Sequence, residues 1–137
     1  MKKDLMKTNC YDVEENMIII GSCIEQMFPE IYRNLEKMSG NIYDICLEQT
    51  HLNMAITKII GMITRKKVKK IMFVTVDKSP HCIQLHYIVK ELEKVINLNT
   101  INIENYVATE KGLEYIPIEI ISISKNLSKL KDVLATK

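Results

Sequence analysis

Apolar positions along the chain alternate between two periods. Met17–Cys23, Ile42–Leu47 and Ile71–Asp77 are short runs dominated by apolar and β-branched residues, the pattern of strands covered on both faces. Between them the spacing changes to three and four. Ile24, Met27, Phe28, Ile31 and Leu35 fall on one face of a helix over Ile24–Met38, with Pro29 disturbing its opening turn and Ser39-Gly40-Asn41 stopping it. Thr50 is placed to cap a second helix over His51–Arg65, apolar nearly all round its circumference. Pro80 supplies the fixed φ that opens a third helix, running to Ile96 with Leu85, Ile88, Val89 and Leu92 inward, so that His81 and Cys82 fall in its first turn. Ile101–Thr109 reads as a fourth strand, turned by Glu110-Lys111-Gly112 into a short edge return over Leu113–Ile116. Residues 113–124 carry both periods. Ile116, Ile120, Ile123, Leu127, Leu130 and Leu134 keep helical spacing, which predicts a helix over Pro117–Leu134.

Strand and helix in strict succession predict a parallel sheet with helices on both faces. The expected fold class is therefore α/β, a three-layer sandwich around a mostly parallel sheet of four or five strands, Rossmann- or flavodoxin-like. Residues 1–15 are polar and read as an N-terminal arm, and 16–137 as a single domain. In such a sheet the strand ends share one edge, and strand one beside strand three is the order that opens a crevice there. The sulfurs of Cys23 and Cys82 should then converge, although 59 positions separate them in the sequence.

Composition narrows the function classes. With 137 residues and 47% apolar content the chain can bury a core without staples, and a net charge of +2 gives no global argument for nucleic acid. Apolar runs are too short for a membrane span or a signal-peptide core, so a cytoplasmic location is expected, with the four cysteines Cys10, Cys23, Cys46 and Cys82 held as thiols or metal ligands. No glycine pattern of the nucleotide-binding kind occurs, so no nucleotide cofactor is expected. Arg65-Lys66-Lys67-Val68-Lys69-Lys70 is a basic cluster, but it lacks an aromatic platform and suits a solvated helix end better than a nucleic-acid site. Met54 and Met62 on the second helix suggest a homodimer surface, or one for a redox-protein partner.

Candidate chemistry gathers at the strand ends. Cys82 and His86 are four apart on one helix, and with Cys23 and His51 they form a soft S/N set suited to zinc or an iron–sulfur site, with His81 able to replace a histidine. The alternative is a thiol enzyme or sulfur carrier. A helix dipole acting on Cys82 favours thiolate, His81 or His51 can serve as base, and Asp77 or Glu48 can orient it. Cys23 and Cys82 would then form an attacking and resolving pair. Thr109 and Glu110 after strand four would line the same crevice, whereas Cys46, alternating within strand two, belongs to the core. The third alternative is a non-catalytic interaction subunit.

Cys23-Ile24-Glu25 and Ser79-Pro80-His81-Cys82 resemble the two metal-binding elements of β-class carbonic anhydrases, over about half of the chain. That resemblance implies a zinc site with a ligand from each element. Glu25 and Met27 stand where that family carries Asp and Arg, and Ser79 stands three positions before Cys82. Thr50-His51-Leu52-Asn53-Met54 and Ser79-Pro80-His81-Cys82-Ile83-Gln84-Leu85-His86 are also similar to small uncharacterised proteins of anaerobic prokaryotes, some with ferredoxin-type names, which implies metal or redox biology.

Overall fold

A computed structural model of the chain describes residues 2–39, 41–65 and 67–135; Gly40 of the expected helix stop and Lys66 of the basic cluster lie outside them. The strands are β1 (Lys3–Asp4), β2 (Asn16–Gly21), β3 (Ile42–Ile45), β4 (Lys70–Val76), β5 (Asn102–Thr109) and β6 (Gly112–Tyr115). They form one sheet in the order β1-β3-β2-β4-β5-β6, parallel throughout except for the β5–β6 hairpin. Ile19 pairs with Phe73 on one side and Tyr43 on the other, which puts β2 at the centre of the sheet.

The pleat of β2 and β4 divides the core. Met17, Ile19, Ile71 and Phe73 face α3 (Leu52–Ile63) and α4 (Gln84–Leu92). Ile18, Ile20, Met72 and Val74 face the opposite layer, where Ile24, Tyr32 and Leu35 come from α1 (Ile24–Met27) and α2 (Pro29–Met38). Ile19, Ile20, Phe73 and Val74 are fully buried, and each such side chain contributes about 1.5–3 kcal/mol by leaving water. Both faces of the central strands are thus consumed by packing. That is why these segments read as continuous apolar runs.

Several boundaries differ from the sequence expectation, each for a local reason. The arm adds β1 beside β3, and its Leu5 and Val13 are buried in the core, so the sheet has six strands. Pro29 divides the first helix because the residue before a proline is pushed out of helical geometry, and Phe28 sits at φ −133°, ψ 66°. The ring of His51, not Thr50, caps α3: its Nδ1 accepts from the Asn53 N–H at 3.1 Å. On α3, Ala55, Ile59, Met62 and Ile63 are buried in the domain, whereas Met54 is exposed. The C-terminal helix is two, α5 (Ile118–Ser124) and α6 (Leu127–Ala135). Among the described residues no helix is long and apolar enough to cross a membrane.

Candidate functional site: a cysteine-lined cleft at the sheet edge

From β2 the chain passes through α1 and α2 to β3 on one side, then through α3 to β4 on the other. This reversal separates the segments that follow β2 and β4, and a cleft of about 410 Å³ opens at their C-terminal ends. Its walls are Gly21 at the end of β2 with Ser22 and Cys23 after it, Cys46, Leu47 and Glu48 after β3, and Asp77, Lys78, Ser79, His81 and Cys82 after β4, with Leu85 and Met27 adding apolar surface. Cys23 and Cys82 therefore share one cleft. Cys46 joins them, which the sequence reading missed by assigning it to the core; its place immediately after β3, matching that of Cys23 after β2, was the available signal.

The Cys82 thiol is seated deep between the two strands. Its sulfur accepts the Val76 N–H at 3.3 Å, and its own N–H donates to Ser79 Oγ at 3.1 Å. A Cβ built on Gly21 would collide with this sulfur, so the absence of a side chain at the end of β2 is what lets the thiol fit. Residues 80–83 form turns ahead of α4, which begins at Gln84. Cys82 thus precedes the helix instead of sitting in its first turn; burial pushes its thiol above its ordinary value, the Val76 hydrogen bond pulls the other way, and Cys23 and Cys46 add to the rise. Cys23, in contrast, is exposed.

The remaining candidates disperse. His86 is turned away from the cleft into the layer between α4 and the sheet, 2% exposed, with Nε2 against Thr75 Oγ1 at 2.7 Å and Nδ1 against Asn105 Oδ1 at 2.9 Å. Both ring nitrogens are thereby engaged, which corrects the expectation that His86 and Cys82 bind one metal together. His51 is occupied in capping α3 and does not line the cleft. Among the described residues no three His, Cys, Asp or Glu side chains gather closely enough to hold one metal ion. Thr109 and Glu110 line a different hollow, with Phe28, Pro29 and Arg33.

Asp77 and His81 do line the cleft, and between them Lys78 adopts φ +71°, the one positive-φ residue other than glycine among those described. Its left-handed backbone turns the chain sharply at the mouth of the cleft. The basic cluster is drawn into local contacts instead: Arg65 lies over the Tyr11 ring at 3.4 Å, Lys69 pairs with Glu15 at 3.4 Å and Lys70 with Glu104 at 3.6 Å.

The order of strands, the helices on both faces and the cleft at the reversal agree with a family model for a Rossmann-like domain, which matches residues 12–137. The chain belongs to this Rossmann-like domain family. No curated protein and no solved structure matches it. The match covers the whole Rossmann-like sheet except β1, and it carries no link to carbonic anhydrases.

Proposed function

We propose that this Rossmann-like domain is a dithiol protein acting on a small disulfide or other two-electron sulfur substrate held in the cleft. The observation that supports it is the pairing of an exposed thiol, Cys23, with a half-buried one, Cys82, on the walls of the same cleft. In a dithiol exchange the accessible thiol meets the substrate first, and the shielded one resolves the intermediate. Cys23, as thiolate, attacks one sulfur of the substrate disulfide; the S–S bond breaks and the first half leaves as thiolate. Cys82 then gives up its proton and attacks Cys23, releasing the second half and leaving a protein disulfide. The substrate gains two electrons and the protein loses them, so an external dithiol must reduce the protein again. His81 and Asp77 line the same wall and can take the proton Cys82 loses.

Treating the reduced protein with oxidised glutathione tests this reading. The expected product is a Cys23–Cys82 disulfide in peptide mapping, and Cys82→Ser should stall as a glutathione adduct on Cys23. Equal, slow modification of all cysteines, or an adduct on Cys23 that wild-type protein never resolves, would remove the proposal. Stoichiometric zinc or iron in anaerobically purified protein would replace it by the metal reading.

A further inference from the structure

α6 is a helix without a core of its own. None of its 9 residues is buried, and a helix of that length is marginal in water because the first turn costs more than the later hydrogen bonds return. The break before it is a built turn: Asn126 Oδ1 accepts the Lys129 N–H at 3.2 Å and caps the new helix. Its apolar side chains extend a line that begins on α5. Ile120, Ile123, Leu127, Leu130 and Leu134 are all exposed, Ile120 by 53%, Leu127 by 78% and Leu134 by 68%. α5 uses its other side for the domain, burying Ile121 and packing Ile118 on the main core. Ile120 and Ile123 on α5, and Leu127, Leu130 and Leu134 on α6, are each spaced three or four apart, so each helix carries one exposed apolar stripe.

We infer that this line is a homodimer seam, in which α5 of one protomer lies antiparallel along α6 of its partner about a two-fold axis. The charges select a second copy of this chain as the occupant. α5 carries Glu119 in its first turn beside Ile120 and Ile123, and on α6 Lys131 flanks Leu127 and Leu130, with Lys129 and Asp132 off that stripe. An antiparallel register that sets Ile120 against Leu130 and Ile123 against Leu127 also brings Glu119 of one protomer opposite Lys131 of its partner. The two-fold axis repeats every one of these contacts, and it passes at the level of Lys125. The face is self-complementary in both shape of spacing and sign of charge.

Sedimentation velocity over low to high micromolar concentrations tests the seam. The expected result is a concentration-dependent dimer, reduced to monomer by Leu130→Glu with unchanged circular dichroism, since Leu130 is not buried. Glu119→Lys and Lys131→Glu should each weaken the dimer, and the double variant should restore it. A 15.9 kDa species at every concentration would overturn the inference. So would a dimer indifferent to Leu130→Glu, or a monomer that co-sediments with anionic phospholipid vesicles through the same leucines.

Discussion

The sulfur of Cys82 occupies the space that a side chain at Gly21 would need. Gly21 ends β2 and Cys82 follows β4, so the fit joins the two sides of the cleft. Gly21→Ala must therefore move the thiol, and overpacking of this kind costs about 1–3 kcal/mol. Chemical denaturation should show that loss. The displaced thiol also gives up the Val76 N–H, so Cys82 should be alkylated faster in Gly21→Ala than in wild type. An unchanged stability together with an unchanged labelling rate would mean that the sulfur does not sit against Gly21.

Cys82 itself should behave as a reluctant thiol. Burial raises its pKa above the ordinary value of 9.0, and only the thiolate reacts with iodoacetamide. In a variant retaining Cys82 alone, with Cys10, Cys23 and Cys46 changed to Ser, the alkylation rate should still be climbing at pH 9. A plateau reached at neutral pH would show that the helix end prevails over burial.

At Lys78 the left-handed backbone costs a non-glycine residue about 1–2 kcal/mol, and glycine is free of that penalty at some cost in unfolded-state entropy. Lys78→Gly should leave stability equal or raise it by about 0.5–1 kcal/mol, whereas Lys78→Val should lower it by at least about 1 kcal/mol because a β-branched residue tolerates this region poorly. Melting curves of the two variants give the comparison. If both fall together, the Lys78 side chain itself makes a stabilising contact.

Much of the fold was legible because the central strands are buried on both faces, and burial on both faces writes itself as unbroken apolar runs. The same logic placed Cys23 and Cys82 at one sheet edge, since parallel strands deliver their ends together. What escaped was decided by single contacts. Leu5 and Val13 are isolated in a polar segment, so the strand they accompany has no period to reveal it. His86 and Cys82 share a helical spacing, yet α4 starts two residues after Cys82, and the side chain at 86 turns into the sheet where Thr75 and Asn105 satisfy it. A polar residue spaced like a ligand and one spaced like a buried hydrogen-bonding partner look alike in sequence. Only the second element, β5 supplying Asn105, distinguishes them.

That buried triad sets the final prediction. Asn105 Oδ1 accepts, so Nδ1 of His86 carries a proton, and in the neutral ring Nε2 accepts from the Thr75 hydroxyl. Burial lowers the His86 pKa, partly opposed by the Asn105 hydrogen bond, below the ordinary 6.5. Above that ordinary value neither the folded nor the unfolded chain binds the proton, and the triad's contribution is intact. As the pH falls below it the unfolded chain takes up a proton that the folded chain refuses, so stability declines until the folded pKa is reached. His86→Gln should flatten this part of the stability profile measured by urea unfolding. Asn105→Leu leaves the Nδ1–H without an acceptor and should cost about 1–3 kcal/mol at pH 7. If wild type and His86→Gln lose stability in parallel from pH 7 to pH 5, the acid sensitivity belongs to the carboxylates and the ring is not held neutral by its burial.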